Sequence, residues 1–285
     1  EISECLVGSE MCIRDRSGGG RRYDRPHTQS IRGVSMINLK TTRELRCMRD
    51  AGKISQEALL KAGEAVRPGV STLELDKIVR RTIEKAGAVP SFLGYGGFPA
   101  SACISVNNVV IHGIPSAHEI LKEGDIVSID VGAIYEGFNG DNAWTFPCGK
   151  VFEEAQKLMD ATRESLFLAI EKAVPGNRIG DIGSAVQQYV EARNYSVVRE
   201  FVGHGVGAKL HEDPSVPNYG TPGRGVRLLP GMTIAIEPMV TQGSCEVKIL
   251  KDGWTTVTKD GKLAAHFEHS IAITPDGPVI LTSLD

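Results

Sequence analysis

Leu121–Val131 reads LKEGDIVSIDV, and Leu228–Pro238 reads LLPGMTIAIEP. The two segments lie 107 positions apart, so that Gly124 falls on Gly231 and Asp130 on Glu237. The same offset recurs upstream. Pro68–Gly69 opens the helical stretch GVSTLELDKIVRRTIEKAGA, and Pro175–Gly176 opens its counterpart GNRIGDIGSAVQQYVEARNY. One offset shared by helix and strand indicates a duplicated unit. Two halves related by a pseudo-two-fold bring their strand-borne acids together, and clustered acids need a cation or a shared proton.

Working outward, each half begins with helices. Thr41-Thr42-Arg43-Glu44 and Ser71-Thr72-Leu73-Glu74 are capping boxes, in which hydroxyl and carboxylate satisfy the free amides at a helix start. Leu45, Met48, Ile54, Ala58, Leu59 and Ala62 form one apolar stripe. Leu75, Ile78, Val79 and Ile83 form another, ending at Gly87. Leu158–Val174 and Ile182–Ala192 are expected to be the matching helices of the second half. Short β-rich runs alternate with Gly, Asn and Asp between and after them, which reads as antiparallel strands and hairpins. The fold class is therefore α+β, a curved antiparallel sheet covered by helices and built from two duplicated halves.

The 285 residues are 41% hydrophobic and 24% charged, which suits a globular protein with a sizeable core. A formal net charge of -3 gives no general attraction to nucleic acid or to an anionic membrane. Cys5, Cys12, Cys47, Cys103, Cys148 and Cys245 are scattered, without a CxxC pair or a dense framework, so reduced thiols in the cytoplasm are expected. No window reaches the roughly 18 apolar residues of a membrane span, and no signal-peptide core opens the chain. Residues 1–35 carry no sustained periodicity; they are expected to be disordered or a non-native segment, with Met36 as initiator and 36–285 as the catalytic domain.

Five side chains stand out chemically. Asp130 and Asp141 flank Glu136-Gly137, a plausible hairpin turn, which sets them roughly opposite on neighbouring strands. A single strand aspartate is more often a surface or turn residue, but two facing aspartates repel unless a metal lies between them. Glu237, within the apolar TIAIEPM, and Glu268, within FEHSIAI, are the downstream candidates. His204 sits in GHGVG, whose glycines let another group approach the ring. As a phosphate-binding loop that motif is weak, since such a loop must open a helix and Asp213-Pro214 soon follows. Four carboxylates with one imidazole suit a pair of Mn, Fe, Co or Zn ions.

Together, IHGIP (111–115), SIDVG (128–132) with GDNAWTF (140–146), GHGVGAKLHEDP (203–214), IEPM (236–239) and FEHS (267–270) resemble the methionine aminopeptidases, type I, of the bacterial kind. The resemblance runs from about Leu39 to Leu281 and implies the pita-bread fold of the M24 metallopeptidases. It further implies two divalent ions, with Asp141 and Glu268 bridging them, Asp130 on one, and His204 with Glu237 on the other. A hydroxide between the ions is then the nucleophile. Glu237 matches the proposed general base, and His112 and His211 match two histidines that contact substrate and the developing oxyanion. Tyr95, Phe98, Cys103 and Trp254 match the wall that receives a methionine side chain, whose soft thioether suits an aromatic, cysteine-lined slot. Many relatives have Phe where this chain has Leu210.

The resemblance implies removal of initiator methionine from nascent proteins when the second residue is small, near the ribosome, by a cytoplasmic monomer. A proline-directed aminopeptidase or prolidase is the alternative on the same fold, but those relatives usually carry EPG and an ED segment where this chain has EPM and FEH. A non-catalytic binding protein on this fold is a further alternative, disfavoured by five intact ligands and a slightly acidic charge. The short interval between His211 and Glu237 leaves no room for the helical insertion of the type II branch.

Overall fold

The computed structural model describes residues 37–284, so the reading of residues 1–35 lies outside the described residues. Four long helices are α1 (Thr42–Glu64), α2 (Thr72–Lys85), α3 (Glu153–Lys172) and α4 (Ile179–Glu191). Strands of the first half are β1 (Val89–Pro90), β2 (Ala102–Val106), β3 (Val109–Ile111), β4 (Ile126–Tyr135) and β5 (Phe138–Pro147). The second half contributes β6 (Ser196–Val197), β7 (Gly203–Gly205), β8 (Glu212–Val216), β9 (Thr233–Ile236) and β10 (Met239–Thr241). After these come β11 (Val247–Ile249), β12 (Thr256–Thr258), β13 (Ala264–His266), β14 (Glu268–Thr274) and β15 (Gly277–Ile280).

Both capping boxes form as read. The Glu44 carboxylate accepts the Thr41 amide at 2.7 Å, and that of Glu74 accepts the Ser71 amide at 2.8 Å. The second-half helices start earlier than their apolar periodicity. At α3 the first turn carries exposed Glu153 and Glu154, which favour a helix N-terminus by charge rather than by burial. At α4 the Asp181 carboxylate accepts the Arg178 amide at 2.8 Å, doing what Glu74 does at α2.

The duplication extends to individual hydrogen bonds. Gly69 and Gly176 have φ of 90° and 94°, and their amides donate to Leu121 and Leu228 at 2.8 and 3.1 Å. Ser91 donates to Gly132 at 2.9 Å, and Val198 donates to Met239 at 3.0 Å. Each pair keeps the 107-residue offset. The halves differ where the acid sits. β4 runs unbroken through Asp130, whereas the second copy divides into β9 and β10 at Glu237-Pro238. Proline has no amide hydrogen to continue the ladder there.

A nine-stranded antiparallel sheet joins the halves in the order β1-β4-β5-β14-β9-β7-β8, with β2 beside β4 and β15 beside β14. Alternation along the strands sorts core from site. Val127, Ile129, Val131 and Ala133 of β4 pack with Leu59 of α1 and Leu75, Val79 and Ile83 of α2. Ile234 and Ile236 of β9 pack with Leu158 and Leu166 of α3 and Ile182, Val186 and Val190 of α4. Asp130 and Glu237 lie at the alternate positions, on the face away from the helices.

Candidate metal centre and pocket

Five strand segments converge on this face. Glu136 and Gly137, both at positive φ (48° and 81°), make the tight turn between β4 and β5, and the register pairs Asp130 with Ala143 and Gly132 with Asp141. Asp130 and Asp141 are thus diagonal neighbours on one face, Asp141 two positions from the residue opposite Asp130, in keeping with the roughly opposite placement read from the sequence. β14 then sets Glu268 beside Ala143, and its next residue, His269, pairs with Ile236 of β9. β7 adds His204, held where Gly205 pairs with Ile234. Gly203 and Gly205 are required, because a Cβ on either would meet a carbonyl oxygen at 2.4 or 2.3 Å.

One ligand atom each from Asp141, His204 and Glu268 lies within 4.8 Å of the others. The His204 Nε2 is 3.7 Å from Asp141 Oδ2 and 3.5 Å from Glu237 Oε1. Asp130 Oδ1, Asp141 Oδ1 and Glu268 Oε1 are buried without hydrogen-bond partners. Orphaned buried carboxylate oxygens are expensive and are met by a cation or a proton. Burial first, then mutual repulsion, pushes the carboxyls of Asp130, Glu237 and Glu268 well above their usual range, and burial raises Asp141 to about 7. The His204 imidazole is pushed down to about 4, chiefly by burial. A neutral imidazole among acids that lack a counter-charge fits divalent cations.

Beside this centre lies a pocket with about 170 Å³ of water-accessible space. Phe92, Phe98, Cys103 and Leu210 form its buried apolar wall, with Trp254 packed against them and meeting Phe98 edge-on at 5.2 Å. Burial raises the Cys103 thiol, so that it is a neutral wall group. Leu210 keeps the wall apolar. Tyr95 differs from the expected wall position: it is 44% exposed at the rim, and its hydroxyl hydrogen-bonds His211 Nδ1 at 2.8 Å.

Two further imidazoles reach the pocket. The His211 ring centroid is 4.1 Å from that of His204. His112 follows β3 at φ 57°, an uncommon conformation for a residue with a side chain. Gly113 makes this bend possible, since a Cβ there would meet the Ile104 carbonyl oxygen at 2.1 Å. Burial lowers His112 to about 4, and its ring meets Phe201 edge-on at 5.7 Å.

All the expected residues line this one cavity. Phe92, Phe201 and His266 were not singled out by sequence. Phe92 continues the three-residue spacing of Tyr95 and Phe98, and Phe201 lies two residues before the GHGVG run. His266 lies two residues before Glu268, the period at which strand residues share a face. Those were the available signals.

A two-halved α+β fold with a buried carboxylate–imidazole cluster open to a small pocket defines a metal-dependent hydrolase. Residues 46–275 match the family described as metallopeptidase family M24, and the chain belongs to that family, in its methionine aminopeptidase branch. It is 59% identical over 247 residues to the methionine aminopeptidase of Clostridium perfringens, covering 87% of this chain and 99% of that one. The crystal structure of methionine aminopeptidase from Thermotoga maritima aligns with a TM-score of 0.86 at 47% identity, over 87% of this chain and 100% of that one. Prolidase from Pyrococcus furiosus aligns at 0.70 with 24% identity, over 87% of this chain and 66% of that one, which shows the fold alone.

Proposed function

We propose that this chain removes the initiator methionine from nascent proteins whose second residue is small. The observation that carries the reading is the closed apolar slot of Phe92, Phe98, Cys103, Leu210 and Trp254 set directly against the acid cluster. Such a slot accepts one unbranched side chain of the N-terminal residue.

Two divalent ions, of Co, Mn, Fe or Zn, would be held by Asp130, Asp141, His204, Glu237 and Glu268. When bound, they supply Lewis acidity and lower the pKa of water so that a nucleophile exists at neutral pH. Glu237 would be the residue that accepts a proton from the attacking water and returns it to the leaving amine. His112 and His211, both biased to the neutral form by burial, offer a ring N–H to the carbonyl oxygen as its charge develops. The Tyr95 hydroxyl on His211 Nδ1 fixes that ring's orientation. Asp130 and Asp141, brought to one face by the hairpin register, would supply two of the carboxylates that hold the ions.

The domain responsible spans residues 36–285. A cytoplasmic monomer working near the ribosome is the setting that this reading implies. The test is hydrolysis of Met-Gly-Met-Met against Ala-Pro-Ala by chelator-stripped protein, with each metal added back in turn. Metal-dependent release of methionine alone is expected. Cleavage before proline would move the activity to the prolidase side of the family.

A further inference from the structure

The duplication carries an inference about His266. Gly132 in the first half corresponds to Met239 in the second, as their matching hydrogen bonds from Ser91 and Val198 show. Gly132 pairs with Asp141, and Met239 pairs with His266. His266 therefore occupies the place that Asp141, an acid of the cluster, holds in the other half. Its backbone is fixed from two sides: Thr145 Oγ1 accepts the His266 amide at 3.0 Å and donates to the His266 carbonyl at 2.8 Å. The Ser128 hydroxyl in turn hydrogen-bonds Thr145 Oγ1 at 2.8 Å.

The side chain is 2% exposed, and its Nε2 has no hydrogen-bond partner. That nitrogen lies 3.7 Å from Glu237 Oε2, while His204 Nε2 lies 3.5 Å from Glu237 Oε1. The two oxygens of one carboxylate thus face two different imidazoles. Glu237 also needs outside support, because the strand breaks at its carbonyl. Asn218, fully buried, donates Nδ2 to that carbonyl at 2.9 Å.

We propose that His266 is a positioning residue for Glu237, donating its Nε2–H to Oε2 and leaving Oε1 directed toward the cluster. The proposal rests on Glu237 acting as ligand and base. A shift of about 1 Å brings the pair to the usual length of a charge-assisted hydrogen bond. Apo sites commonly show such bonds stretched. Glu237 lines the pocket and His266 does not, so the imidazole stands behind the carboxylate.

Glutamine reproduces an N–H donor at this reach; methionine has similar length and packs into cores but donates nothing. The experiment compares H266Q and H266M by calorimetric Mn binding, kcat and KM, with thermal melts to check folding. Loss of an outer partner of a ligand costs about 10–100-fold in metal affinity or activity. H266M should show that loss in Mn affinity and in kcat with KM little changed, and H266Q should stay near the parent protein. Wild-type behaviour of H266M, or equal impairment of both variants, overturns the proposal. A second readout needs no substitution: the nitrogen spectrum of the Zn-loaded protein should show His266 protonated at Nε2, and an unprotonated Nε2 overturns it too. E237Q is measured alongside. If E237Q keeps Mn affinity and turnover, the role of Glu237 itself fails, whatever the His266 variants do.

Discussion

Stripping the metals should make the stability of this protein fall as pH rises above about 7.5. Asp141 titrates at about 7 in the folded chain, and Asp130, Glu237 and Glu268 are raised well beyond the usual carboxyl range, all chiefly by burial. A carboxyl with a raised folded pKa keeps its proton where the unfolded chain has lost it. Its contribution is therefore present below the unfolded value near 4 and is lost as pH rises through the folded value. The histidines act in the opposite sense. His112, His204 and His269 fall to about 4 and His266 to about 3, so what they contribute is complete only about one unit above the unfolded value near 6.5 and is lost as pH drops toward the folded values. Above about 7.5, among these groups only the carboxyls still contribute a slope. Each retained proton costs about 1.4 kcal/mol per pH unit. For a chain of this size that is about 3–5 °C in Tm per pH unit. Ions replace those protons, so the loaded protein should hold or gain Tm over the same range, and loading should release protons. The assay is calorimetric melting from about pH 7.5 to 8.5 with chelator or with Mn, and metal titration in buffers of different ionisation enthalpy. A chelated protein whose Tm is flat or rises across that range, or loading without proton release, would refute the account of the cluster.

Other substitutions probe separate parts of the structure. His204→Ala should abolish metal-supported methionine release while the melt stays cooperative, since the ring is a ligand more than a core element; parent-level turnover in that variant contradicts the centre. Gly113→Ala places a Cβ 2.1 Å from the Ile104 carbonyl oxygen, so kcat should drop through displacement of His112, read by steady-state kinetics. Asp76→Asn weakens the two bonds its carboxylate accepts from the Ser101 and Ala102 amides, at 2.8 and 3.0 Å, and should cost about 1–3 kcal/mol in urea unfolding. Leu210→Phe should crowd the slot beside Phe92 and raise KM for methionine peptides with kcat less affected.

Much of this was legible in the sequence because it is periodic or repeated. The 107-residue offset carried the two halves, and alternation along SIDVG and TIAIEP put an acid on the face opposite the core. The capping boxes at Thr41 and Ser71 located α1 and α2. What stayed hidden depends on partners distant in sequence. The start of α3 is set by exposed Glu153 and Glu154, which leave no apolar period to read. The diagonal relation of Asp130 and Asp141 follows from the length of the Glu136-Gly137 turn, and a one-residue change in that turn would alter the pairing. The resemblance places Tyr95 at the pocket, but the bond from its hydroxyl to His211, far along the chain, leaves no local mark in the sequence. Phe92 and His266 become site residues only when β4 and β10 set the faces of their neighbours.

The most direct measurement is anomalous diffraction from crystals soaked in Mn. Two peaks are expected, both in contact with Asp141 and Glu268, with Asp130 on one and with His204 and Glu237 on the other. Absence of peaks at these side chains in protein that releases methionine would contradict the central claim.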